Sequence, residues 1–188
     1  MHNAIARRIL ENYDYHHNDF LLGNLLPDAD DGTDDNHAYT HFREKIDGKY
    51  ERFPNIEKFR GKYQNHFGNS LVVGYYCHLL SDTVWRKLRF EKLRNVDTNS
   101  YRKAMDSDLV KLNRVLVEHY SLLPYDKLTI PNSIIISEID KQQIPKLLSN
   151  YACQIENVTD GELAIFTLDV VIDYIDTTIK NFIETLYI

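Results

Sequence analysis

The chain contains few of the residues that interrupt helices or crosslink loops. Its 188 residues include 7 glycines, 5 prolines and 2 cysteines. Because glycine and proline both destabilise a helix interior, their scarcity is typical of a protein with long helices. Cys77 and Cys153 are too few for a disulfide framework, which indicates a reducing compartment.

Surplus basic charge and long hydrophobic runs are also missing. The chain has 22 lysines and arginines against 28 aspartates and glutamates, a net charge of -6. Proteins that grip a nucleic-acid backbone need a basic face, so we expect no nucleic-acid partner. No stretch approaches the length that spans a bilayer, and residues 1–15 lack the apolar core of a signal peptide. We therefore expect a cytoplasmic protein without a transmembrane segment, whose oligomeric state the sequence does not predict.

Helical periodicity runs through most of the chain and predicts one all-α domain over residues 1–188. The first half of the stretch 66–94 is apolar nearly all round, which is typical of a buried central helix. Thr159 or Asp160 would cap the last helix. The predicted elements are helices at 3–13, 66–94, 106–123, 137–150 and 160–187, a further helix from Asn36, a short apolar segment at 18–26, and loops at 29–36 and 125–133.

The central helix carries a histidine and an aspartate in the motif GYYCHLLSDTVW. His78 and Asp82 lie four residues apart, so they share one helix face. A carboxylate on so apolar a helix needs a partner, because an unpaired buried charge is costly. A structural hydrogen-bonded pair and a metal-binding pair both fit this motif taken alone. Three aromatic residues of the same stretch could line a pocket, although core packing is the default explanation: Tyr75, Tyr76 and Trp85.

A second group of candidate ligands lies in NDFLLGNLLPDADDGTDDNHAYTHFRE, residues 18–44. Asp28 follows an apolar segment and a proline, and His41 comes thirteen residues later. For these two we favour a functional role. His37, one helical turn before His41, is the alternative ligand. The other acidic residues of the loop are expected to stay mostly in solvent: Asp30, Asp31, Asp34 and Asp35.

His2, at the head of the first predicted helix, completes a set of three imidazoles and two carboxylates. The set is His2, Asp28, His41, His78 and Asp82. Such a mixture of nitrogen and oxygen ligands is typical of zinc, and iron or manganese would also fit. Five ligands suggest two ions with a shared carboxylate, an arrangement suited to phosphoester hydrolysis. The remaining histidines are expected at the surface or rim (His16 and His17) or in structural positions (His66 and His119).

Taken in order, these segments resemble the zinc-dependent phospholipase C-like family of bacterial hydrolases. That family is related in fold to secreted zinc phospholipases C and single-strand-specific zinc nucleases. The resemblance rests on His2, FLLGNLLPD ending at Asp28, THF with His41, and GYYCHLLSDTVW, and it covers roughly the first half of the chain. It implies an all-α fold in which Asp28, His41, His78 and Asp82 hold one metal, and Asp82 bridges to a second metal completed by His2.

The chain departs from the secreted enzymes at their third metal. No histidine follows Asp82 until His119, so a three-metal site is not expected. Asp106 and Asp108, in the sequence MDSD, are the nearest acidic residues that could supply a further ligand. Helix capping is the alternative role for both.

We therefore expect a metal-dependent hydrolase that attacks a small phosphodiester or phospholipid-like substrate with a metal-activated water. Asp28, as a ligand or as the base that orients this water, and Asp82 are the expected catalytic carboxylates. One alternative is a catalytically inactive or structural metal-binding helical module. Another is an HD-type nucleotide phosphohydrolase, although the adjacent His-Asp pair of that class is missing, since Leu79 follows His78.

Overall fold

Helices dominate the computed structural model, which describes residues 1–93, 98–120, 122, 128–156, 159 and 161–186. The predicted all-α class is confirmed. The α-helices are α1 (His2–Leu10), α2 (His17–Leu25), α3 (Asp34–Thr40), α4 (Ile56–Tyr63), α5 (Ser70–Leu93), α6 (Thr98–His119), α7 (Ile144–Glu156) and α8 (Leu168–Leu186). Short 3-10 turns occupy Leu26–Asp28, Gln64–His66 and Lys141–Gln143. None of the helices in these ranges is both long and apolar enough to cross a membrane.

A small hairpin that the sequence analysis did not predict follows α3. Strands β1 (Lys45–Ile46) and β2 (Lys49–Tyr50) pair antiparallel. The two residues between them, Asp47 and Gly48, have φ of 50° and 77°. Positive φ at both central positions is what a two-residue hairpin turn requires, and Asp-Gly is a strong sequence signal for it.

The central helix α5 packs most extensively against α2, and two glycines permit the close approach. A Cβ on Gly23 of α2 would lie 2.0 Å from the backbone oxygen of Leu71. A Cβ on Gly74 of α5 would lie 2.1 Å from the backbone oxygen of Phe20. Neither position accepts a side chain at this helix separation. The crossing brings the end of α2 beside the middle of α5.

The other face of α5 is covered by α8, so the first half of the central helix, up to Ser81, is buried as predicted. Trp85 packs against Phe166 and Tyr174, with ring centroids 5.0 and 5.1 Å apart. Tyr76 contacts the ring of Phe182 at 6.2 Å. These residues are almost completely buried. Trp85 and Tyr76 therefore belong to the core rather than to a pocket wall.

The last helix begins later than predicted, at Leu168 instead of near residue 160. The cause is a buried carboxylate on α6. Asp108 accepts backbone N–H bonds from Ala164, Ile165 and Phe166 at 2.7–3.1 Å. Since α6 begins at Thr98, Asp108 does not cap its own helix, and it holds the segment that precedes α8 instead.

The seventh helix is also displaced from its predicted range of 137–150. Glu138 is buried and accepts a hydrogen bond from Tyr63 Oη at 2.5 Å, and the same hydroxyl accepts from Ser137 N at 2.9 Å. These contacts tie the residues before α7 to α4. The helix starts at Ile144, with Pro145 in its first turn. At that position the missing N–H of proline costs no helical hydrogen bond.

Helix α4 was not predicted, and the remaining boundaries agree with the predictions to within a few residues at most ends. The exceptions are the start of α6, which lies eight residues before the predicted position 106, and the start of α5 at Ser70 rather than residue 66. The predicted ends at 94, 123 and 187 and part of the loop 125–133 fall outside the residues that the structure describes.

Candidate metal centre

Four separate elements deliver the five predicted ligands to one place. His2 is the first residue of α1, and Asp28 ends the 3-10 turn that follows α2. His41 is the C-cap residue of α3. His78 and Asp82 lie one turn apart in the middle of α5. The two residues on α5 therefore form the centre around which the other three assemble.

The position of His41 depends on how α3 ends. Arg43 N donates to Ala38 O at 2.8 Å and Phe42 N donates to Tyr39 O at 3.2 Å, the bonds of a Schellman turn. Such a turn needs a left-handed residue after the cap, and Phe42 takes that place with φ of 54°. A residue other than glycine is strained there.

Aromatic packing offsets this strain. The buried Phe42 ring packs edge-on against Phe59 at 5.2 Å and Tyr75 at 6.3 Å. The Tyr75 hydroxyl donates to the backbone oxygen of Thr40 inside the same turn. The sequence THF thus encodes an anchored helix end, and Tyr75 acts as a buried support instead of lining a pocket.

All three imidazoles are oriented by a fixed partner at Nδ1. His41 Nδ1 lies 2.9 Å from His37 O, and His78 Nδ1 lies 2.8 Å from Asn24 O. A carbonyl oxygen can only accept, so each Nδ1 carries the proton. His2 Nδ1 lies 2.7 Å from Ser81 Oγ, whose own hydroxyl donates to a backbone oxygen. Each neutral ring therefore presents an unprotonated Nε2.

These Nε2 atoms converge with the two carboxylates. His41 Nε2 and His78 Nε2 are 3.3 Å apart, and Asp28 Oδ1 lies 3.5 and 3.8 Å from them. Ligands in a tetrahedron around zinc at about 2.0–2.1 Å are about 3.3 Å from one another. The spacing of this first group, 3.3–3.8 Å, is therefore close to the edge lengths of a tetrahedral zinc site.

A second group adjoins the first. His2 Nε2 lies 3.6 Å from Asp82 Oδ1, and the His2 ring stacks on the His78 ring at 3.9 Å. Asp82 Oδ2 is 3.9 Å from His41 Nε2. The ligand atoms of His2, His78 and Asp82 lie within 4.8 Å of one another, as do those of Asp28, His41 and His78. Because the two oxygens of Asp82 approach different histidines, this carboxylate can bridge two ions.

The protonation states of these side chains suit a cation. Burial, together with His78, lowers the pKa of His2 to about 3 against the opposing effect of Asp82. Burial is likewise the main cause that lowers the pKa of His41. Both imidazoles are neutral at pH 7, as metal ligands must be.

Both carboxylates stay ionised. Burial alone would raise the pKa of Asp28, but its interactions with His78, His41 and His2 lower it below its ordinary value. Asp28 is 45% exposed, so solvent screens part of this effect. For Asp82, burial again raises the pKa, and His78, His2 and His41 outweigh it. Two neighbouring carboxylates without a proton attract a cation.

Asp82 has a further partner that the sequence analysis missed. Arg86, one turn later on α5, donates to Asp82 Oδ2 from Nε at 3.3 Å and from Nη2 at 3.2 Å. The i, i+4 spacing of Asp82 and Arg86 would have revealed this pair. No comparable signal marks Ser81 or the carbonyl of Asn24, because their roles arise only when α1 and α2 pack on α5.

His37 and His41 have different partners and different roles in the structure. His37 Nδ1 pairs with Asp30 Oδ2 at 2.8 Å, and the His37 side chain is not among the converging groups. Its carbonyl oxygen instead orients His41. Asp30 is therefore engaged with a histidine, whereas Asp31, Asp34 and Asp35 are exposed as expected.

The other acidic and histidine candidates lie away from this cluster. Asp106 is exposed and pairs with Arg89 at 3.3 Å, and Asp108 binds the backbone before α8. His16 is exposed and pairs with Asp19 at 3.1 Å. Three more histidines are also exposed: His17, His66 and His119.

Comparison with known proteins identifies one family. The family described as zinc dependent phospholipase C matches residues 1–111. The matched segment contains all five residues of the cluster. No curated protein and no solved structure is significantly similar to the chain.

Proposed function

The chain belongs to the zinc-dependent phospholipase C family, and we propose that it hydrolyses phosphoesters at a zinc site formed by His2, Asp28, His41, His78 and Asp82. Family membership indicates a metal-dependent phosphoester hydrolase. The assignment of these five side chains as the ligands, and of two ions as their complement, is our proposal.

One observation carries the proposal. The Nε2 atoms of His41 and His78 face each other at 3.3 Å while both Nδ1 atoms donate to backbone oxygens. In their neutral forms, rings in these tautomers present a lone pair to a lone pair and cannot hydrogen-bond to each other. With two carboxylates within 4 Å, a cation between them satisfies all of these groups.

A bound zinc ion supplies Lewis acidity towards a phosphoryl oxygen and favours ionisation of water. The protein positions the reactants. In our assignment His78, His41 and Asp28 hold one ion, and His2 completes the second, with Asp82 shared between them. Arg86 fixes the Asp82 carboxylate through two hydrogen bonds.

Asp28 has the further task of orienting the attacking water. Its Oδ1 approaches both histidines, and the side chain is half exposed and borders a cavity. In the reaction the water oxygen forms a bond to phosphorus, the bond from phosphorus to the ester oxygen breaks, and the proton that the water loses passes to the departing ester oxygen or to solvent. A carboxylate at the cavity edge can accept a hydrogen bond from that water.

The proposal is tested by the turnover of methyl p-nitrophenyl phosphate, a diester, and p-nitrophenyl phosphate, a monoester, by the zinc-loaded protein. We expect release of p-nitrophenolate that is abolished by a chelator and by the double substitution His78→Ala, Asp82→Ala. The double substitution His16→Ala, Asp19→Ala removes an exposed His-Asp pair and should leave turnover unchanged.

Two results would contradict the proposal in different ways. If the protein binds zinc tightly but hydrolyses neither ester, the five residues form a structural metal site. If turnover survives the loss of His78 and Asp82, the reaction takes place elsewhere on the protein.

A further inference from the structure

A cavity of about 90 Å³ opens directly onto the cluster. His2 and Asp28 form part of its wall, so the cavity is continuous with the proposed metal site. Most of the remaining wall comes from α6 and α7, which pack against each other, while α7 also contacts the turn that carries Asp28. The outer wall is mixed and includes the apolar Leu25, Leu116, Val117 and Ile155 and the polar Asn113 and Tyr151.

From this cavity we propose that the substrate of the hydrolase carries a compact, uncharged organic group of about three carbon atoms, which lies between α6 and α7. The inference rests on the proposed function, because the cavity is a substrate pocket only if the cluster beside it is a catalytic metal site. It adds the chemical class of the group attached to the phosphate.

Volume limits the size of that group. A cavity of about 150 Å³ is known to hold benzene, and a water molecule occupies about 30 Å³ in the liquid. At about 90 Å³ the cavity is little more than half as large as one that holds benzene, so it suits a group of about three carbon atoms better than an aromatic ring. A nucleobase or an extended acyl chain would not fit without a change of structure.

The chemistry of the wall limits the charge. Within the part of the chain that the structure describes, the ionisable groups around the cavity are His2, Asp28 and the amino group of Met1. Leu116 is fully buried, and Val117 and Ile155 are partly buried. A cationic group would lose its hydration here and would compete with the proposed metal ions for Asp28, whereas an alkyl group gains from burial.

The sequence positions of the wall residues indicate a role in substrate specificity. Asn113, Leu116, Val117, Tyr151 and Ile155 all follow residue 111, where the match to the family ends. The proposed ligands all precede it. The segment that is not matched to the family therefore shapes the pocket in this chain, which is the arrangement expected of a specificity element.

The experiment measures binding of alkylphosphonates to the zinc-loaded protein by calorimetry, so its readout does not depend on turnover. We expect n-propylphosphonate to bind about fifteenfold more tightly than methylphosphonate, because two further methylene groups become buried. Benzylphosphonate should bind at least tenfold more weakly than the propyl compound. n-Propyl p-nitrophenyl phosphate should likewise have a higher kcat/KM than the methyl and benzyl esters.

Substitutions in the wall test its role. Leu116→Ala enlarges the cavity and should make benzylphosphonate bind as tightly as the propyl compound. Val117→Ala is a milder enlargement for use if Leu116→Ala does not fold. Leu112→Ala, which truncates an equally buried leucine one turn earlier on α6, should leave the order of affinities unchanged.

Failure of the inference differs from failure of the proposed function. Equal affinities for all three phosphonates, or an order that Leu116→Ala does not alter, would overturn the pocket assignment while leaving metal-dependent hydrolysis intact. A protein that binds no zinc, or one that binds zinc but no phosphonate, would overturn both.

Discussion

Residues outside the ligand set fix the orientation and the tautomer of the imidazoles that we propose as metal ligands. Ser81 is completely buried and lies 2.7 Å from His2 Nδ1. Because its hydroxyl hydrogen is directed to a backbone oxygen, its oxygen accepts from His2 and fixes the ring tautomer. The same task falls to backbone oxygens at His41 and His78, which no side-chain substitution can remove.

We predict that Ser81→Ala weakens zinc binding by about 10- to 100-fold, the usual effect of removing a partner that orients a metal ligand. The His2 ring then loses the acceptor that holds its Nε2 towards Asp82. Competition with a chromogenic chelator measures the affinity. Thr83→Ala, which removes a hydroxyl bonded only to Leu79 O on the same helix, should have no effect, and equal affinities for both variants would contradict the account.

Asp82 illustrates what a residue pattern can and cannot reveal. The requirement that a buried carboxylate be paired predicted that Asp82 has a partner, and Arg86, His2 and His41 all lie within 4 Å of it. The identity of two of these partners follows from tertiary packing. No spacing in the sequence indicates that His2 reaches α5.

At the scale of elements, the crossing of α2 and α5 controls the site. It places Asn24 O against His78 Nδ1 and sets the path of the turn that ends at Asp28. Gly23 and Gly74 permit the short separation between the helices. Any increase in that separation moves Asp28 away from His78.

We predict that Gly74→Ala lowers the free energy of unfolding by about 3 kcal/mol or more, because the new methyl group would overlap the backbone of α2. Gly61→Ala is the matched control, since a Cβ at this helical position of α4 meets nothing within 4 Å. It should stabilise the protein by about 0.5–1 kcal/mol. Urea unfolding of both variants decides the point, and similar stabilities would disprove the close crossing.

The contact between α6 and the segment before α8 depends on the charge of Asp108. Burial raises the pKa of this carboxyl, but the N–H groups of Ala164, Phe166 and Ile165 lower it below its ordinary value. A folded-state pKa below the unfolded one gives stability that is present above about pH 4 and is lost as the pH falls through the folded value.

We predict that Asp108→Asn lowers the free energy of unfolding at pH 7 by about 2–3 kcal/mol, because three backbone N–H groups, one of them in the buried Phe166, lose a charged acceptor. The difference from the wild type should shrink as the pH falls from about 5 to 2. Asp106→Asn, at an exposed ion pair, should change stability by less than about 0.5 kcal/mol. A constant difference across this pH range would be inconsistent with the role of Asp108.

For the whole molecule, the all-α class and the central helix could be predicted because their signals are local. The apolar run of α5 and the scarcity of glycine and proline required no knowledge of the tertiary structure. The late starts of α7 and α8 could not be predicted, since Glu138 and Asp108 bind partners 75 and 56–58 residues distant. Where such long-range contacts bind a backbone segment or a side chain, they prevent the helix start that the local sequence predicts.

In the candidate site, too, some residues could be predicted from the sequence and others could not. The segments FLLGNLLPD, THF and GYYCHLLSDTVW indicated Asp28, His41, His78 and Asp82, and the structure brings these residues together with His2. The wall of the adjoining cavity had no recognisable signal. Its residues are mostly apolar or amide side chains, and they line one cavity only because α6 and α7 pack together.

The most direct test of the account is the zinc content of the protein after equilibrium dialysis, measured by inductively coupled plasma mass spectrometry. We predict about two equivalents per chain for the wild type and for His37→Ala, one after loss of His2, and none in His78→Ala, Asp82→Ala. A wild type without zinc, or a His41→Ala variant that retains the full complement, would contradict the central claim that these imidazoles converge to hold a metal.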